Sequence, residues 1–116
     1  MYGCELQSVL LNLLTNSLKA VKHESVRKIG IWAEAAGKNM SVQFKDTGIG
    51  LDPRMREEVF KPFVSTSEPD PILGVGTGLG LKIVRDLLDV YGGTVRFVDC
   101  EKPWKTCVEF ALPYTP

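Results

Sequence analysis

The spacing of the apolar residues changes along the chain, and that change limits the folds open to it. Leu6, Val9, Leu10, Leu13, Leu14, Leu18 and Val21 recur at the i, i+3, i+4 spacing of one helix face. The period then falls to two. Ile29, Ile31, Ala33 and Ala35 share one face of a strand, and Met40, Val42 and Phe44 one face of the next. Gly37-Lys38-Asn39 between them has the chemistry of a hairpin turn. Asp52-Pro53 reads as an N-cap followed by proline at the first helical position, opening a short charged helix that runs to Phe60.

From Pro62 to Gly76 no period is present. Ser65-Thr66-Ser67-Glu68-Pro69-Asp70-Pro71 is polar and proline-punctuated, so a long loop is expected, of the kind that often serves as a functional lid. A second amphipathic helix is expected from Gly80, carrying Ile83, Val84, Leu87, Leu88 and Tyr91 and stopping at Gly92-Gly93. Residues 94–99 and 106–112 read as closing strands around a Pro103-Trp104 loop. Elements with one apolar face must bury it against one another. The expected class is therefore α+β, a two-layer sandwich whose sheet of about four strands is covered on one face by helices.

Composition narrows the function by exclusion. The 116 residues suit one domain, residues 1–116. Lys+Arg and Asp+Glu both number 14, which argues against a nucleic-acid or anionic-membrane binder. Asn12 and Asn16 interrupt the best apolar run well short of the roughly 18–20 residues of a membrane span. Met1-Tyr2-Gly3-Cys4-Glu5 has no secretory-signal pattern. Cys4, Cys100 and Cys107 lack metal-like spacing, and an odd count fits free thiols in a reducing, cytoplasmic compartment.

Three groups of polar or small residues sit where folding alone gives them little reason to be. Asn12, Asn16 and Lys19, at i, i+4 and i+7, form a narrow polar stripe turned away from the leucine face. Asparagine is a poorer helix former than Glu, Lys or Gln. Its amide oxygen is a neutral hard ligand suited to Mg²⁺, and Lys19 offers a charge for phosphate. The same stripe is also suited to satisfying the backbone of a neighbouring loop. Second, the alternation Met40, Val42, Phe44 places Asp46 on the core-facing side, where an unpaired carboxylate is expensive. It precedes Thr47-Gly48-Ile49-Gly50, and it either accepts an exocyclic amino group such as adenine's or caps its own turn. Third, Gly74-Val75-Gly76-Thr77-Gly78-Leu79-Gly80 opens a helix, where free N–H groups and the helix dipole favour an anion. It is neither a Walker A loop, for want of Lys-Ser or Lys-Thr, nor the Rossmann G-x-G-x-x-G.

In order and spacing these groups resemble the nucleotide-binding boxes of the Bergerat-fold ATP-binding superfamily, most nearly the catalytic domain of sensor histidine kinases. The segment from Leu6 to Ala20 resembles the N box, Asp46-Thr47-Gly48-Ile49-Gly50 the first glycine box, and Phe60-Lys61-Pro62-Phe63 the F box. Gly74 to Leu81 resembles the second glycine box, while Tyr91-Gly92-Gly93-Thr94-Val95 and Phe110-Ala111-Leu112-Pro113 resemble the family's closing elements. The resemblance implies a mixed sheet with a flexible ATP lid, and ATP with Mg²⁺ as cofactors. It implies that Asn16 binds Mg²⁺, with Asn12 nearby and Lys19 on phosphate, and that Asp46 takes the adenine amino group while Gly48 and Gly50 admit the base. Phe60 and Phe63 would anchor the lid. Gly76, Thr77, Gly78, Leu79 and Gly80 would hinge it and offer amides to phosphate. Either Thr106 or Cys107 stands near a family threonine on the adenine side.

The hydrolytic branches of the superfamily carry a Glu, the base that activates water, four residues before the metal-binding Asn. Asn12 stands there and takes no proton at neutral pH. The resemblance therefore implies a domain that presents the γ-phosphate to a histidine on a separate dimerisation domain, in the same protein or dimer, with a response regulator downstream. The alternatives are an ATP-hydrolysing module and a non-catalytic ATP sensor. The one histidine, His23, lies in no acceptor motif and is expected at the surface. A family strand is missing before the first helix. A fragment of a longer protein is therefore expected, with any membrane anchor outside this domain and a sheet edge left open.

Overall fold

A computed structural model describes residues 3–61 and 80–113. Helix α1 spans Gly3–Val21, strands β1 and β2 span Ile29–Ala36 and Asn39–Asp46, helix α2 spans Gly80–Val90, and strands β3 and β4 span Thr94–Val98 and Thr106–Pro113. Two 3₁₀ turns, Pro53–Met55 and Glu58–Phe60, stand where a short helix was expected. The Asp52 cap forms as anticipated, its carboxylate accepting the Arg54 N–H at 2.9 Å. The segment is too short and too poor in apolar residues to propagate an α-helix from it.

The sheet order is β1-β2-β4-β3. A mixed sheet was expected, but every described pairing is antiparallel. β2 and β3 run the same way, and β4 lies between them, pairing antiparallel with both. Strand direction follows from this chain order and leaves no mark on local alternation.

α1 packs over β2 and α2 over β3, and the helices touch each other. The core between the layers is built from Val9, Leu13, Phe44, Val84, Leu88 and Phe110 with their neighbours. The rings of Phe44 and Phe110 stack at 6.5 Å. α2 stops in a Schellman turn: Gly92 N–H donates to the Asp89 carbonyl at 3.1 Å and Gly93 N–H to Leu88 at 2.8 Å, with Gly92 at φ +72°.

Two expectations about faces need correction. The buried stripe of α1 is Val9, Leu13, Ser17 and Val21, at strict i, i+4 spacing, while Leu18 is exposed. Ile31 and Ala33 do share a face with their partners Phe44 and Val42. As part of an edge strand, however, they stay uncovered, and Ile31 is 53% exposed. On the opposite face Trp32 meets Trp104 edge-on at 5.5 Å, and Lys45 Nζ lies 5.1 Å from the centre of the Trp32 ring. Among the described residues no helix is long and apolar enough to cross a membrane.

Candidate functional site

The site is built around the end of β2, where α1 and the β3–β4 connection converge. Asp46 is the last residue of β2, opposite Ile29 of β1 and Thr106 of β4. It is 4% exposed, as the alternation indicated. Its Oδ1 accepts the Gly48 N–H at 3.0 Å. Burial pushes the Asp46 carboxyl above its ordinary range, and the Gly48 N–H and the Ser17 hydroxyl pull it partly back. Among the described residues no cation forms an ion pair with it. A buried carboxylate without a cation keeps acceptor capacity for a donor from outside the fold.

The turn after Asp46 is held from both sides. Thr47 Oγ1 donates to the Val26 carbonyl at 2.8 Å and accepts the Lys28 N–H at 2.9 Å, while its own N–H donates to the Lys28 carbonyl at 3.1 Å. On the other side Ile49 N–H donates to the Ala20 carbonyl in the last turn of α1 at 3.2 Å. Gly48 lies against that same turn, where a β-carbon would stand 2.6 Å from the Ala20 carbonyl carbon and oxygen. Its lack of a side chain therefore serves the fold as well as any ligand. Gly50, at φ +79°, lets the chain turn away past the Lys105 main chain. Lys105 N–H donates to the Asp46 carbonyl at 2.8 Å, fixing the end of the β3–β4 connection to the site.

The register settles which residue of β4 faces this side. Thr106 pairs with Asp46 and shares its face, whereas Cys107 pairs with Lys45 and lies buried on the opposite face. Cys107 is thereby removed as an alternative to Thr106. Burial raises the thiols of Cys100 and Cys107, both of which are free.

Of the α1 stripe, Asn12 and Lys19 are half-buried and Asn16 is exposed. Asn12 Nδ2 donates to the Ser8 carbonyl at 2.7 Å. Its Oδ1 lies 3.0 Å from where a β-carbon on Gly80 would stand, so Asn12 meets the first residue of α2. Asp46, Gly48, Gly50 and Thr106 thus gather at the end of β2 against the last turn of α1, and Gly80 meets Asn12 earlier on the same helix. Phe60 is buried against Phe97 at 5.6 Å, and the Arg85 guanidinium, held by Glu57 at 2.8 Å, lies 3.8 Å from the centre of its ring. Phe60 is a core residue here. Phe63, Gly76, Thr77, Gly78, Leu79 and the anticipated lid lie outside the described residues. His23 is exposed. No group of three or more His, Cys, Asp or Glu side chains placed to hold a metal occurs among the described residues.

Two contributors escaped the sequence reading, Ser17 and the Thr47 clamp. Ser17 did leave a signal: it stands four residues from both Leu13 and Val21, a hydroxyl within the apolar stripe.

Comparison with known proteins agrees with this fold. The model of the family described as histidine kinase-, DNA gyrase B-, and HSP90-like ATPase matches residues 4–116. The methanogenesis regulatory histidine kinase FilI of Methanothrix harundinacea (strain 6Ac) is 36% identical over 107 residues, 92% of this chain and 12% of FilI. The C4-dicarboxylate transport sensor protein DctB of Rhizobium meliloti (strain 1021) is 38% identical over 91 residues, 78% of this chain and 14% of DctB. The chain thus spans only a small part of the length of these relatives. Among solved structures, the mycobacterial sensor histidine kinase MprB superposes with a TM-score of 0.82 at 25% identity, covering 100% of this chain and 74% of that one. The catalytic domain of histidine kinase ThkA gives a TM-score of 0.78 at 29% identity, covering 97% and 68%. Fold and site define an ATP-binding domain of the kind that sensor histidine kinases carry. The chain belongs to the histidine kinase-, DNA gyrase B- and HSP90-like ATPase family.

Proposed function

We propose that the domain binds Mg-ATP and donates its γ-phosphoryl group to a histidine on a separate dimerisation domain, in the same protein or its dimer partner, on the cytoplasmic side, with a response regulator downstream. The observation that carries transfer over hydrolysis is Asn12. It occupies the place of the water-activating Glu of hydrolytic relatives, and its amide nitrogen is committed to the Ser8 carbonyl at 2.7 Å. An amide takes no proton at neutral pH, so Asn12 cannot serve as the base that activates water.

The residues present fit the nucleotide. Asp46 accepts from the adenine amino group with capacity left over from Gly48. Thr106 lies beside it in the register. Asn16, exposed on α1, offers a neutral oxygen to Mg²⁺, and Lys19 one turn on meets phosphate. When bound, Mg²⁺ neutralises charge on the phosphates. The amides that open α2 at Gly80 add donors for the same charge, as do Gly76, Thr77, Gly78 and Leu79 by resemblance. The chain's work is to position the phosphate chain and stabilise its charge, which suits a transfer that needs an external nucleophile.

The test is a phosphotransfer assay with labelled ATP on the full-length protein that contains this domain. Acid-labile, base-stable label on the protein is expected. Steady release of phosphate without labelled protein would favour the hydrolytic reading instead. The role of Asn16 is tested separately by calorimetry. Asn16→Ala should weaken Mg-ATP about tenfold and leave adenosine unchanged. Equal losses for both ligands would remove Asn16 from the metal.

A further inference from the structure

The ladder between β1 and β2 runs one rung past its last strand pair, Ile29 with Asp46. In that extra rung Thr47 N–H donates to the Lys28 carbonyl at 3.1 Å. A regular antiparallel rung of this kind has its two residues exchange both main-chain bonds. Here the Lys28 N–H goes instead to the Thr47 hydroxyl, at 2.9 Å. The same hydroxyl donates to the Val26 carbonyl at 2.8 Å. It thus stands in for the main-chain carbonyl of its own residue, and Thr47 is buried while it does so.

That exchange frees the chain to leave the sheet. In a trans peptide the carbonyl and the N–H that follows it point in opposite directions. A Thr47 carbonyl turned to Lys28 would therefore aim the Gly48 N–H away from β1, as a continuing ladder requires. With the hydroxyl on Lys28, the peptide between Thr47 and Gly48 is released from that direction. Its N–H donates to Asp46 Oδ1 at 3.0 Å, and the next N–H, of Ile49, reaches the Ala20 carbonyl of α1 at 3.2 Å. One side chain thus controls the peptide that holds the carboxylate.

We propose that Thr47 is a positioning residue for recognition of the base: its hydroxyl replaces a main-chain acceptor in the sheet, so that the Gly48 amide is free to orient the Asp46 carboxylate toward the exocyclic amino group of adenine. This inference rests on the reading of Asp46 as the adenine acceptor. Valine has nearly the shape of threonine and would fill the same space. Without the hydroxyl, the Lys28 N–H would draw the Thr47 carbonyl back into the ladder and carry the Gly48 amide off Asp46.

Calorimetry on the chain with adenosine and with purine riboside, which lacks the exocyclic amino group, separates the possibilities. The parent should prefer adenosine. Thr47→Val should weaken adenosine about tenfold and leave purine riboside unchanged, with folding checked by circular dichroism. Thr47→Ser keeps the hydroxyl and should keep the preference of the parent. Equal weakening of both ligands by Thr47→Val would mean a merely structural threonine and would overturn the proposal. Unchanged adenosine affinity in Thr47→Val, or loss of the preference in Thr47→Ser, would overturn it too. Should Thr47→Val fail to fold, Thr47→Cys, whose thiol is only a weak donor and acceptor, replaces it with the same expected selectivity and the same overturning results. Asp46→Asn is the control for the underlying reading. If it abolishes the preference for adenosine while Thr47→Val preserves it, only the role of Thr47 fails. If the parent shows no preference, or Asp46→Asn leaves it intact, the adenine reading of Asp46 fails and Thr47 falls with it.

Discussion

Gly48→Ala is expected to cost the domain about 3 kcal/mol of folding stability, the upper end of what overpacking usually costs. The added β-carbon would stand 2.6 Å from the carbonyl carbon and oxygen of Ala20 and 2.7 Å from its β-carbon. Two of those three atoms are main chain, so no rotamer change relieves the contact. Moving the last turn of α1 away would break the Ile49 N–H bond to the Ala20 carbonyl. Moving the glycine turn away would strain the Gly48 N–H bond to Asp46 and the bonds by which Thr47 holds Val26 and Lys28. The turn is held on both sides of the clash. A natural domain is stable by only about 5–15 kcal/mol, so the loss is a large share of the total. Urea unfolding followed by circular dichroism measures it. Gly3→Ala is the control: a β-carbon at the first residue of α1 meets nothing within 4 Å and should cause no loss. A Gly48→Ala midpoint equal to that of the parent would show that α1 and the turn are less tightly docked than this.

The same residue shows what a sequence discloses and what it withholds. That a glycine belongs after Asp46 was legible. That it serves to admit α1 was not, because Ala20 lies 28 positions earlier and the approach is set by tertiary packing. Asp46 was legible because alternation is geometric: with Val42 and Phe44 facing the core, a carboxylate two residues on must face it too. Ser17 was missed for the converse reason. An apolar count passes over the one polar member of a buried stripe, although i, i+4 spacing from Leu13 to Val21 runs straight through it. β1 has alternation too, but a local pattern cannot say whether a helix lies over it. At the sheet edge no described element covers Ile31, and the pattern survives without the burial. The choice between Thr106 and Cys107 needed the register with β2, a pairing across some sixty residues of chain that spacing within β4 alone does not contain.

Asp46→Asn should raise stability while removing the preference for adenine. Burial lifts the Asp46 carboxyl above its ordinary value of 3.8, so the folded protein holds that proton more tightly than the unfolded chain does. The sign follows. Below 3.8 the group is protonated in both states and the buried charge costs nothing. As the pH rises through the folded-state value the stabilisation from the bound proton is lost, and at neutral pH the full cost of ionisation remains. Asparagine never carries that cost. Its Oδ1 still accepts the Gly48 N–H. The Asn variant should therefore melt above the parent at neutral pH, with the gap closing on acidification. Binding moves the other way. With Oδ1 occupied, the amide NH₂ faces the adenine amino group, donor against donor. Loss of a charge-assisted hydrogen bond together with that mismatch should weaken adenosine about tenfold to a hundredfold. Thermal melts across pH and calorimetry with adenosine read the two effects independently. A variant that melts lower at neutral pH and binds adenosine as the parent does would show that the carboxylate supports the fold and has no part in recognising the base.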